Sequence, residues 1–111
     1  MERSYNEDVN IPNAATDSAT ISVPPGFVLA GIVTPAALTG SSVSLKGSYR
    51  TNPVSLFPVY DNETLYSIDV GANRVVMFDT NVTKGLAVFA LVSASAEGAS
   101  RTFTAIYTKG N

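Results

Sequence analysis

The stretch Val43-Ser44-Leu45-Lys46-Gly47-Ser48-Tyr49 alternates apolar or small side chains with polar ones. In an extended chain successive side chains point to opposite faces. Val43, Leu45, Gly47 and Tyr49 therefore share one face, and Ser44, Lys46 and Ser48 the other. One buried face and one wet face is the mark of a strand in an antiparallel sheet. The closing segment repeats the pattern, with Phe103, Ala105 and Tyr107 opposed to Thr102, Thr104 and Thr108.

Working outward, short β-rich runs recur every ~8–12 residues, separated by Gly, Pro, Asn and Asp, as in a sandwich or barrel. The runs are Thr20–Val23, Phe27–Thr34, Val43–Tyr49, Ser55–Tyr60, Thr64–Val70, Arg74–Phe78, Leu86–Ser93 and Thr102–Thr108. Phe27–Thr34 is apolar on both faces, which predicts cover on both sides. Pro58 marks Ser55–Tyr60 as an edge strand, because proline cannot donate to a ladder. Leu86–Ser93 is the most apolar run and is expected at the centre of a sheet. Asp79–Gly85 reads as a loop with room for one helical turn, and Ala94–Ala99 as a turn of small residues. No segment carries a helical period with caps. The expected fold is all-β, an antiparallel jelly-roll-like β-sandwich of about eight strands. Its expected core holds Val43, Leu45, Val76, Phe78, Val88, Leu91 and Phe103, with Phe27 or its neighbours. Residues 1–17 are polar and read as an extended N-terminal arm, leaving 18–111 as the sandwich domain.

A chain of 111 residues suits one domain that needs no disulfide or metal to hold it. Charged residues make up 14 % of it, against the usual ~25 %. Such a composition fits hydroxyl-rich faces covered by neighbouring proteins. The net charge is −2, and the basic residues Arg3, Lys46, Arg50, Arg74, Lys84, Arg101 and Lys109 are scattered. A nucleic-acid binder shows a basic stripe instead, so direct DNA or RNA binding is not expected. The start, Met1-Glu2-Arg3-Ser4-Tyr5-Asn6-Glu7-Asp8, lacks the basic and apolar regions of a signal peptide. No apolar run approaches the ~20 residues of a membrane-spanning helix. The expectation is a cytoplasmically made protein with no membrane partner.

The chain has no His and no Cys. A Ser–His–Asp or Cys–His site cannot be built, and the usual zinc ligand sets are missing. Gly26, Gly31 and Gly40 match neither nucleotide-binding fingerprint. No enzyme activity, cofactor or metal is therefore expected. Asp61, Glu63 and Asp79 are the remaining carboxylates with a catalytic or calcium-binding reading. Their ordinary role as turn residues is the stronger one. Asn62-Glu63-Thr64 and Asn81-Val82-Thr83 match the short glycosylation pattern and are taken as chance matches. Tyr49, Tyr60, Tyr66 and Tyr107 have a sugar-stacking reading beside a core or rim one, and the second is preferred.

Gly31-Ile32-Val33-Thr34-Pro35-Ala36-Ala37-Leu38-Thr39-Gly40, Pro58-Val59-Tyr60-Asp61-Asn62-Glu63-Thr64-Leu65-Tyr66, Arg74-Val75-Val76-Met77-Phe78-Asp79, Lys84-Gly85-Leu86 and Ser100-Arg101-Thr102-Phe103-Thr104 form a series of turn and strand motifs. Across residues 18–108 the series resembles the small all-β virion structural proteins of tailed bacteriophages, of the capsid decoration or cement type. The segment 1–17 lies outside the likeness. The resemblance implies a homotrimer that sits on the capsid surface after assembly in the host cytoplasm. Its partner would be the major capsid protein or another virion protein, and it would bridge shell subunits. A tail, head-fibre or adsorption component with a glycan-binding face is the alternative. Expected partner contacts are Tyr5, Ile11 and Pro12 from the arm, Pro35, and Arg50 and Asn52.

Overall fold

The computed structural model describes residues 4–50 and 55–110, with Ser4 and Tyr5 by backbone only. Along them run β1 (Ser4–Ile11), β2 (Ile21–Ser22), β3 (Phe27–Val33), β4 (Ser42–Ser48), β5 (Phe57–Pro58) and β6 (Tyr60–Asp61). There follow β7 (Thr64–Leu65), β8 (Ser67–Asp69), β9 (Val75–Met77), the single-turn helix α1 (Thr80–Thr83), β10 (Val88–Ser93) and β11 (Arg101–Lys109). Every strand pairing is antiparallel. One sheet has the order β1-β11-β3-β9; the other is β2-β10-β4-β5, with β8 also on β4. Strands β6 and β7 form a separate hairpin. The all-β, antiparallel expectation holds.

Both sheets contribute to one apolar core. The first supplies Val9, Ile11, Leu29, Ile32, Phe103, Ala105 and Tyr107; the second supplies Val43, Leu45, Phe89 and Leu91. The Phe89 and Tyr107 rings meet edge to face across it, 6.4 Å apart. The alternation is realised as read in β11 and through Lys46 in β4: Val43 and Leu45 are buried while Ser44 and Lys46 are half-exposed, but Ser48, expected on the wet face, is buried. Val88 is buried as expected, and Phe89, one residue on, is buried on the opposite face in the core that the two sheets share. Val76 packs against the core only partly buried. Tyr49, expected inward, lies just past the end of β4 and is 74 % exposed.

The extended arm expected over residues 1–17 is corrected from Ser4 onward. Ser4–Ile11 pairs with Thr108–Arg101 along its whole length as an edge strand. Val9 and Ile11 are fully buried in the core. Burying two such side chains contributes ~1.5–3 kcal/mol each, which an arm lying in water would forgo. The chain then crosses between the sheets, with the Ala14 amide donating to the Glu97 carbonyl and the Glu97 amide to the Ala15 carbonyl. The Ser93 amide donates to the Thr16 carbonyl and the Ser18 amide to the Leu91 carbonyl, so residues 16–18 run beside β10. The proposed boundary at 17/18 thus falls inside a segment that stitches the two sheets together.

Phe27–Val33 reads apolar on both faces because β3 carries a bulge. Ile106 faces Gly31 and Tyr107 faces Leu29, leaving Ala30 as the extra residue. The slip lets Leu29 and Ile32 both enter the core although they are three positions apart. Below β9 the edge of β3 is closed by α1. The Phe78 amide donates to the Ala30 carbonyl at 2.7 Å, and the Thr83 hydroxyl to the Leu29 carbonyl at 2.6 Å. The single helical turn allowed for in this loop is α1, and Asp79 caps it by accepting from the Asn81 amide at 3.0 Å.

Candidate functional site

Strand β4 ends at Ser48 with its amide-bonded neighbours still in place: the Ala87 amide donates to the Ser48 carbonyl. The Ser48 hydroxyl accepts from the Arg50 amide at 3.3 Å, turning the chain out of the sheet. Tyr49 and Arg50 project from this turn, with the guanidinium carbon 4.9 Å from the ring centroid. The Arg50 guanidinium also donates to the Tyr49 hydroxyl at 2.6 Å. A cation held over an aromatic face restricts both side chains before any partner arrives.

The facing wall comes from β5. Phe57 and Pro58 pair with Gly47 and Lys46, and the Val59 amide donates to the Leu45 carbonyl. Phe57 is 66 % exposed. Leu86 completes the groove, and Gly47 makes its close approach possible: a Cβ there would lie 2.6 Å from a Leu86 methyl. The result is an open, mainly apolar groove of about 510 Å³ between Tyr49, Phe57, Pro58, Val59 and Leu86. Arg50 is its one charged side chain among the described residues. Aromatic and arginine side chains around an apolar centre are the composition of protein-binding hot spots.

The expected contact residues divide among several places. Ile11 is fully buried in the core and is removed from the contact set: the pairing of β1 with β11 turns it inward. Pro12 is exposed beside it, at the end of the molecule where β11 begins. Pro35, half-buried just beyond Val33, lies at that same end and accepts from the Asn73 amide. Arg50 lies at the opposite end, beyond the pairing of Ser48 with Val88. The Tyr5 side chain and Asn52 fall outside the described residues. Among the described members of the set, only Arg50 thus helps to form the groove.

Of the four tyrosines with a sugar-stacking reading, Tyr107 is a core residue whose hydroxyl donates to Glu7 at 2.9 Å. Tyr66 packs edge to face on Phe78 and accepts from the Asp79 amide. Tyr49 and Tyr60 face outward. Asp61 and Glu63 are exposed on the β6–β7 hairpin, and Asp79 is occupied as a helix cap. Among the described residues no three acidic side chains cluster to hold a metal ion. Nor is any described helix long and apolar enough to cross a membrane.

One acidic residue was not anticipated as special. Glu97, in the small-residue turn, has a side chain with no exposure. Its Oε1 accepts from the Thr39 amide at 2.8 Å and from Arg101 Nε at 3.0 Å. Its Oε2 accepts from the Gly40 amide at 2.9 Å and the Ser93 hydroxyl at 2.6 Å. Burial pushes the carboxyl's pKa up, but the hydrogen bonds from Ser93, Thr39, Gly40 and Arg101 together outweigh it and hold it at about 2. A carboxylate with four donors has no lone pair to spare for a substrate, so Glu97 is a tie between loops.

No protein-family model matches this chain, and no curated protein is similar enough to count as a relative.

Proposed function

We propose that this protein is a structural component of a tailed-phage virion, a capsid decoration or cement protein that docks through the Tyr49–Arg50–Phe57 groove. The observation that carries this reading is the groove itself. Two large aromatic side chains, 74 % and 66 % exposed, flank an apolar centre beside one arginine. Exposed apolar patches of this kind are retained where another surface covers them. The resemblance of the turn and strand motifs to those of small virion proteins suggests the class of partner: the major capsid protein or another virion protein. We read the two sheets as jelly-roll-like and the working form as a homotrimer over a junction between capsomers. Three copies acting together gain avidity, because each contact raises the effective concentration of the next. The role is mechanical, with no reaction and no cofactor, at the capsid surface after assembly in the host cytoplasm.

The test is binding of purified protein to assembled capsids and to unassembled shell protein. Binding to capsids alone is expected. Tyr49→Ala and Phe57→Ala should each weaken it by about tenfold or more, the effect of removing a hot-spot side chain. A monomer that ignores both intact and expanded capsids would end the proposal.

A tail, head-fibre or adsorption component is the second reading, favoured by the open groove flanked by Tyr49 and Phe57, since aromatic faces also stack on sugars. A glycan array separates the two: a cement protein leaves it blank.

A further inference from the structure

Seven basic residues serve this chain, and three of the six described are engaged. Lys46 pairs with Asp17 at 2.8 Å, Arg101 pairs with Glu97, and Arg50 lies on Tyr49. Lys84 and Lys109 have no ion pair among the described residues. They come from distant parts of the sequence, yet they line one cleft of about 500 Å³. Lys84 follows α1, Lys109 ends β11, and the hydroxyl-bearing Thr80 and Thr108 stand on the same walls. Val28 supplies an apolar wall, and no lining residue is acidic. The geometry around the cleft is pinned: the Gly110 amide donates to the Gly26 carbonyl at 2.8 Å, and Gly26 has φ +82°.

Two ammonium groups on one cleft with no acidic residue on its walls give it a positive potential. A bound anion there would gain two attractions, together with hydrogen bonds from the threonine hydroxyls. We propose that this cleft binds a dianionic oxyanion, of the phosphate or phosphate-monoester type, held by Lys84 and Lys109 with Thr80 and Thr108. The cleft shares no lining residue with the Tyr49 groove, so the proposal stands apart from the capsid reading.

The experiment is an amide NMR titration of the full chain with inorganic phosphate and with glucose 6-phosphate, against sodium chloride at matched ionic strength. Saturable shifts at Gly26, Thr80, Lys84 and Gly110 are expected, with a dissociation constant of about 1–10 mM. Lys84→Gln and Lys109→Gln should each weaken binding by about threefold to fivefold, as for an exposed charge pair. Lys46→Gln should leave it unchanged. Both cleft lysines are exposed, and the spectrum of each variant in chloride reports its fold. Equal affinity for the two probes assigns the free ion; tighter binding of the ester assigns an organic phosphate packed on Val28. Shifts no larger than those in chloride, shifts spread over every lysine, or unchanged affinity in both glutamine variants would overturn the proposal.

Discussion

The Glu97 carboxylate meets the Arg101 guanidinium at 3.0 Å where β11 begins, and the glutamate side of this pair has no exposure while the arginine side keeps 18 %. Because the same carboxylate holds Thr39, Gly40 and Ser93, one side chain joins the start of β11, the end of β10 and the loop before β4. Glu97→Ala leaves the buried Gly40 amide, the part-buried Thr39 amide and a guanidinium without their acceptor. The expected cost is about 3–5 kcal/mol, read from the denaturation midpoint. A loss under ~1 kcal/mol, the range of an exposed pair, would show that the tie is not holding the loops.

Its pH dependence has a definite sign. The Glu97 pKa falls from 4.5 to about 2 on folding, so the unfolded chain binds the proton more readily. The stability it gives is present above pH 4.5 and is lost as pH falls toward 2. Asp17, lowered by hydrogen bonds from Lys46 and Thr16, acts in the same direction from an exposed position. Denaturation midpoints should fall between pH 5 and 2 in the native chain and fall less steeply in Glu97→Gln. Parallel curves for the two would assign the acid sensitivity elsewhere.

The edge position of β1 makes a further claim. Ile11→Ala should cost about 2–5 kcal/mol and Pro12→Ala, one residue on and exposed, less than ~0.5 kcal/mol. Removing residues 1–11 should uncover the full ladder edge of β11 and the core side chains beneath it, giving a protein that aggregates. A soluble, cooperatively folding truncation would restore the view of this segment as a separable arm.

The contrast between β1 and β4 explains what the sequence disclosed. Strands β4 and β11 were legible because their alternation is carried by side chains of opposite character. In β1 the inward positions include Glu7, which is tolerated because the Tyr107 hydroxyl donates to it. That charge, with Asn6, Asp8 and Asn10 on the other face, hides the alternation ending in Val9 and Ile11. The bulge at Ala30 erases the period of β3 in the same way, by a backbone slip that no residue type announces. The role of Glu97 was illegible for another reason. Its neighbours are small, and two of its four donors are backbone amides more than 50 residues away. The groove was half visible: Arg50 stands among the expected contacts, but Tyr49 falls on the inward face when the alternation is extended one residue past the last ladder pair, Ser48 with Val88.

Ala14 offers a prediction of the opposite sign. It is the third residue of the turn in which the Ala15 amide donates to the Pro12 carbonyl, and its φ is +68°. A turn with positive φ at this position favours glycine, since a Cβ there crowds the backbone at a cost of ~1–2 kcal/mol. Asn62 and Asn73 share the conformation, but asparagine tolerates it. Ala14 is exposed, so its methyl contributes little packing to set against the strain. Ala14→Gly relieves the crowding and adds ~0.5–1 kcal/mol of unfolded-chain entropy. The balance is a gain of about 0.5 kcal/mol, or a melting temperature higher by roughly 2–4 °C. Asn73→Gly should show no such gain. A lower midpoint for Ala14→Gly would mean that the turn is held from outside, by the hydrogen bonds exchanged between Ala14, Ala15 and Glu97, tightly enough that local strain no longer decides its stability.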